Sequence, residues 1–135
     1  ELGERTGTVP ENVLEKAREL TGQALSCAAK ARAAGVRIAF GTDASVLPHG
    51  QNLRELELMT RAGMSPMEAI VSATRTAAEC LGWDDRIGTL EPGKLADIVI
   101  TAVDPLSDIT ALQDTSKIML VMKGGDIVKD LRAVP

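Results

Sequence analysis

Val36-Arg37-Ile38-Ala39-Phe40-Gly41-Thr42-Asp43 is a short apolar run that ends in Gly-Thr-Asp. Its β-branched residues and its length read as a buried strand over residues 36–40. A helical pattern that closes at Gly35 precedes it, and an amphipathic pattern resumes at Asn52. Helix, buried strand, acidic loop, helix is the grammar of an α/β barrel. In such barrels, polar residues just past the C-terminal end of a strand are where catalysis usually sits. Asp43 is therefore the first candidate for chemistry. The competing reading is a loop aspartate that bonds its own backbone in an Asx turn.

The chain has 135 residues, enough for one core but short of the roughly 250 that a complete (β/α)8 barrel takes. A barrel reading therefore means part of a barrel. The net charge is -4 and no basic run is present, which leaves no electrostatic footprint for nucleic acid or an anionic membrane. No apolar run reaches the roughly 18 residues of a membrane span, and no signal peptide is visible. The chain opens on Glu1 rather than Met, as a processed, truncated or partially cloned product would. Cys27 and Cys80 lie far apart with no C-x-x-C pattern, which reads as two buried, reduced thiols in a cytoplasmic protein. With Phe40 and Trp83 as the aromatic residues, the core must be aliphatic.

Residues 1–8 are polar and Gly-rich, most simply a loop. From Pro10, a residue tolerated in a first helical turn, Val13, Leu14, Ala17, Leu20, Ala24, Ala28 and Ala31 recur at spacings of three and four. This predicts a helix to about Ala34, capped by Gly35. Three more helices carry start signals: Asn52 with Glu55, Ser65-Pro66-Met67-Glu68, and Thr76 with Glu79. Arg61-Ala62-Gly63 closes the first of these and Gly82 the last. After Trp83 the pattern changes to short strands. Residues 88–97 are turn-rich and lead into a strand at Ile98-Val99-Ile100. Asp104 to Leu112 suggests a turn and a short helix, and Lys123-Gly124-Gly125-Asp126 joins two strands as a hairpin.

An ionised carboxylate is acceptor-only, so Asp43 suits a metal ion or a proton taken from metal-bound water. His49 is the single histidine. A catalytic zinc site commonly takes three protein ligands and keeps one position open. Asp43 and His49 fall short of that set, so any metal site is completed by residues outside this chain. His49, between Pro48 and Gly50, reads either as an exposed loop residue or as a substrate contact. Asp97 and Asp104 read as turn residues, Asp84 and Asp85 as solvated charges, and Arg54 and Glu55 as capping and surface charge.

Gly41-Thr42-Asp43-Ala44, Pro48-His49-Gly50 and Asn52-Leu53-Arg54-Glu55-Leu56 together resemble the end of the barrel in metal-dependent amidohydrolases. The similarity is to the branch with imidazolonepropionase-like and Xaa-Pro dipeptidase-like hydrolases. It extends through residues 62–70, residues 74–82 and residues 88–99. The resemblance implies an α/β fold: the last βα units of a (β/α)8 TIM barrel over residues 1–83, then the C-terminal strands of a small β-sandwich over residues 84–135. It implies that Asp43 binds metal and shuttles the proton of the hydrolytic water, and that His49 borders the substrate pocket. It implies one or two divalent ions, zinc, in the complete protein, and hydrolysis of amide, peptide or cyclic C–N bonds by attack of metal-activated water. The expected partners are the N-terminal portion of the same barrel, or an oligomer partner, and a small amide or dipeptide-like substrate. The rival is a non-catalytic, stand-alone α/β fragment that folds by oligomerising or by binding a partner.

Overall fold

The computed structural model describes residues 10–43 and 50–132. Helix α1 spans Glu11–Ala33. Pro10 sits just ahead of it and offers its carbonyl to the Val13 and Leu14 amides at 2.9 and 3.2 Å. At its other end the Gly35 N–H donates to the Arg32 carbonyl (2.9 Å) and the Val36 N–H to the Ala31 carbonyl (3.0 Å). These are the two bonds of a Schellman stop, and they need the left-handed backbone that Gly35 adopts at φ +75°. The expected Gly35 cap is thus in place. Within the expected stripe, Leu14, Ala28 and Ala31 are partly covered, whereas Val13 and Leu20 are about half exposed.

Residues 36–42 run extended but form no strand ladder. A ladder needs an adjacent strand, and none lies beside this stretch among the described residues. The Phe40 N–H instead donates to the Ser72 carbonyl at 3.1 Å. Ile38 and Phe40 pack against a buried cluster of Leu56, Met59, Ala69 and Ile109. Burial of such aliphatic side chains contributes about 1.5–3 kcal/mol each.

Helices α2 (Arg54–Arg61), α3 (Pro66–Ala73) and α4 (Arg75–Leu81) follow. Ser65 and Glu68 form the expected capping box at α3, with Pro66 at the first helical position. The other two start signals act differently. Leu53 occupies the position before α2 and makes no side-chain cap, while Asn52 turns its amide elsewhere. Thr76 lies inside α4. The break falls at Thr74, whose hydroxyl bonds back to the Ile70 carbonyl at 2.8 Å. Two ion pairs strap the elements together. Arg32 of α1 reaches both Glu68 oxygens at 3.0 Å, and Arg37 reaches Glu79 at 2.6 Å. Both cysteines are free and exposed, against the expected burial. Cys27 lies off the side of α1 that Leu25 and Ala28 turn toward α2.

The C-terminal part is an antiparallel sheet in the order β1 (Ile98–Thr101), β2 (Ile118–Lys123), β3 (Asp126–Asp130). Val99 pairs with Val121 and Ile100 with Leu120. Asp97 takes the turn role expected of it by accepting from the Gly124 N–H at 2.7 Å, which pins the hairpin to the entry of β1. Two short 3-10 segments, Ile109–Gln113 and Thr115–Lys117, bridge β1 and β2. Ile109 carries this part into the same cluster as Leu56 and Met59.

Two outcomes follow. The Glu68 carboxyl is lowered from the ordinary 4.5 to about 2, first by the Ser65 amide and then by Arg32. A depressed folded pKa stabilises the fold above the unfolded value and is lost as pH falls through the folded one. Glu68→Gln should therefore lower the thermal midpoint at pH 7, and the gap from the parent should close between about pH 4.5 and 2; a gap constant over that window contradicts this reading. Gly88 has φ +92° and an added Cβ would stand 2.6 Å from the Ala78 Cβ. Gly88→Ala should cost about 1–3 kcal/mol in urea unfolding, whereas an unchanged midpoint would show that the contact relaxes freely.

Candidate active site

The extended stretch ends with Thr42 half-buried and Asp43 exposed. Asp43 has φ 43°, the one positive φ outside glycine among the described residues. Left-handed backbone costs an ordinary L-residue about 1–2 kcal/mol, and aspartate is among the few side chains that tolerate it. Among the described residues the Asp43 carboxylate has no hydrogen-bond partner, and the Asx-turn alternative, whose donor would be the residue-45 amide, lies outside them. His49, the proposed substrate contact, lies outside the described residues, as do residues 1–8 and the side chain of Ala17.

What the structure brings to Thr42, the residue before Asp43, is Asn52. Its Nδ2 donates to Thr42 Oγ1 at 3.0 Å, and its Oδ1 accepts from the Gly50 N–H at 3.2 Å. One side chain thus bridges the two described ends of the loop. Beside it a hollow of about 210 Å³ is lined by Gly50, Gln51, Leu53, Arg54 and Gln113. The Gln113 side chain in turn donates to Glu57 Oε2 at 2.9 Å, so the 3-10 segment borders this hollow.

A second hollow, about 240 Å³, lies between α1, the extended stretch and α2, with Ala24, Leu25, Ile38, Gly41, Glu55 and Met59 in its wall. Glu55 is half-buried there, and burial raises its carboxyl above the ordinary 4.5. This corrects its reading as a surface charge. Glu55, Leu58, Met59 and Ala62 recur at spacings of three and four, which places Glu55 on the apolar side of α2. That spacing was the signal in the sequence.

Among the described residues, no three His, Cys, Asp or Glu side chains gather as a metal site would require. Asp43 fits as one carboxylate ligand, accessible and acceptor-only. The remaining ligands of a usual site would have to come from outside the described residues.

A profile of the amidohydrolase family matches residues 7–128. The chain belongs to the amidohydrolase family. Among amidohydrolase relatives, the ochratoxinase of Aspergillus niger is 39% identical over 98 residues, which covers 71% of this chain and 20% of that protein. The imidazolonepropionase of Geobacillus kaustophilus is 37% identical over 102 residues, 70% of this chain and 23% of that protein. A crystal structure of a Xaa-Pro dipeptidase with bound methionine in its active site superposes with a TM-score of 0.81. It is 38% identical and covers 94% of this chain and 30% of the dipeptidase. The chain therefore spans between a fifth and a third of these amidohydrolases. It is a small α/β piece of their barrel fold with a three-stranded sheet.

The Glu55 environment generates a test. A carboxyl whose folded pKa is raised leaves the fold unpenalised below the ordinary 4.5 and penalises it as pH rises through the folded value. Glu55→Gln should raise the thermal midpoint at pH 7, with the gain fading toward pH 4; a lowered midpoint at pH 7 would mean that Glu55 has a stabilising partner.

Proposed function

We propose that this chain is the C-terminal part of a metal-dependent hydrolase acting on amide, peptide or cyclic C–N bonds. In this reading residues 1–83 belong to the TIM barrel, with the extended stretch as its eighth strand, and residues 84–135 supply the C-terminal strands of a small β-sandwich. The observation that carries the proposal is Asp43: an exposed carboxylate at the end of an extended stretch, inside the region matched to the amidohydrolase family. The names of the relatives, with a dipeptidase among them, support a C–N bond as the target.

Zinc in such a site lowers the pKa of water from about 15.7 to about 7 and so supplies the nucleophile. The work of this chain is narrower. Asp43 offers one oxygen as a ligand, takes the proton that the attacking water loses, and returns it to the departing nitrogen. His49 is proposed to contact the substrate. The N-terminal portion of the barrel supplies the other ligands and the neighbouring strands. Free thiols at Cys27 and Cys80 suit a cytoplasmic setting.

The exposed side chains of Leu81, Leu90 and Val99 favour a second reading, a non-catalytic module that oligomerises. Bound zinc separates the two readings, because a module of that kind holds none in stoichiometric amount. In the protein with a complete barrel, Asp43→Asn should lower kcat/KM by about 10²–10⁴ with the fold retained by circular dichroism. Near-parental turnover in that variant removes Asp43 from the role of base.

A further inference from the structure

We infer that Asn52 is a positioning residue for Asp43, acting by closing the base of the loop that Asp43 begins. The inference rests on the proposed hydrolase reading and names the device that aims its base. Asn52 joins three things. Its backbone carbonyl accepts from the Glu55 N–H at 3.1 Å, which ties it to the start of α2. Its Nδ2 donates to Thr42 Oγ1 at 3.0 Å, one residue before Asp43. Its Oδ1 accepts from the Gly50 N–H at 3.2 Å, on the far side of the loop.

A primary amide is the side chain that both donates and accepts at this distance from the backbone; aspartate would keep the acceptor and lose the donor, and leucine would lose both. Thr42 is held half-buried as the acceptor. Asp43 follows it at φ 43° with no side-chain bond of its own among the described residues. The Asn52 bridge anchors Thr42, the residue from which the Asp43 backbone departs, and so limits where the carboxylate can be carried. A left-handed aspartate persists where its neighbours determine it, and such residues gather at functional sites. The rigid α2 reaches Asp43 through Asn52 and Thr42.

The experiment compares Asn52→Leu, Thr42→Val, Thr42→Ser and the Asn52→Leu/Thr42→Val pair in the protein with a complete barrel. It reads kcat, KM, the pH profile of kcat/KM, and hydrogen exchange at the Gly50 amide. Misplacing a reacting group by about an ångström costs on the order of 10²-fold. Asn52→Leu and Thr42→Val should each lower kcat by about 10–100-fold with KM little changed. They should also move the acidic limb of the pH profile. Thr42→Ser, which keeps the hydroxyl, should restore kcat. The double variant should be no worse than the poorer single, because both singles already remove the Asn52–Thr42 bond. Gly50 should exchange faster in Asn52→Leu and not in Thr42→Val. A merely structural Asn52 would lower the thermal midpoint while leaving kcat and the pH limb in place, and that result overturns the positioning role. So does a Thr42→Ser variant as damaged as Thr42→Val, or two single effects that multiply. A parent with no hydrolytic activity overturns the hydrolase reading, and the positioning role falls with it. An active parent whose kcat is indifferent to Asn52→Leu overturns the positioning role alone.

Discussion

Extended backbone has to pair its amides and carbonyls, and among the described residues the 36–40 stretch does so through the Val36 N–H on the Ala31 carbonyl at its start and the Phe40 N–H on the Ser72 carbonyl at its end. The helices of the amidohydrolase chain are arranged about this stretch. The Schellman stop at Gly35 ends α1 and turns the chain into it. Ile38 and Phe40 lean on the aliphatic cluster built by α2, α3 and the 3-10 segment. Asp43 stands at its end. Among the described residues no strand flanks it, and relatives three to four times as long support the view that its neighbours come from the rest of a barrel.

The helical part and the sheet are not independent in energetic terms. Ile109, from the segment between β1 and β2, is buried against Leu56, Met59 and Ala69, so one cluster serves both. A chain with two aromatic residues closes its core with such contacts among Leu, Ile, Met and Ala. Charge then sets the positions of the outer elements. Arg32 holds α1 to the start of α3, and Arg37 holds the start of the extended stretch to α4. These pairs are largely solvent-exposed, so they orient the elements more than they stabilise them.

Much of this was legible in the sequence where a local rule acts alone. Gly35, Ser65-Pro66 with Glu68, and Gly124-Gly125 each satisfy a backbone demand within a few residues, and each does what its spacing implies. The failures come where a different partner, distant or local, takes the group. Asn52 has the composition of a helix cap, yet Thr42, ten residues earlier, takes its amide. Thr76 carries a cap-like spacing, but the hydroxyl of Thr74 finds the Ile70 carbonyl and moves the break. Glu55 has the charge of a surface residue, yet its place in the apolar repeat of α2 half-buries it. At the site, Asp43 could be singled out by its position after an apolar run. Its left-handed backbone and the Asn52 bridge needed coordinates.

The central claim is that this chain works inside a complete barrel. The most direct measurement is the intact mass, under denaturing conditions, of every polypeptide in the protein purified from its native source. The account predicts either one polypeptide well above 14.2 kDa that contains these residues or a larger chain that accompanies them. A 14.2 kDa species with no companion would contradict it.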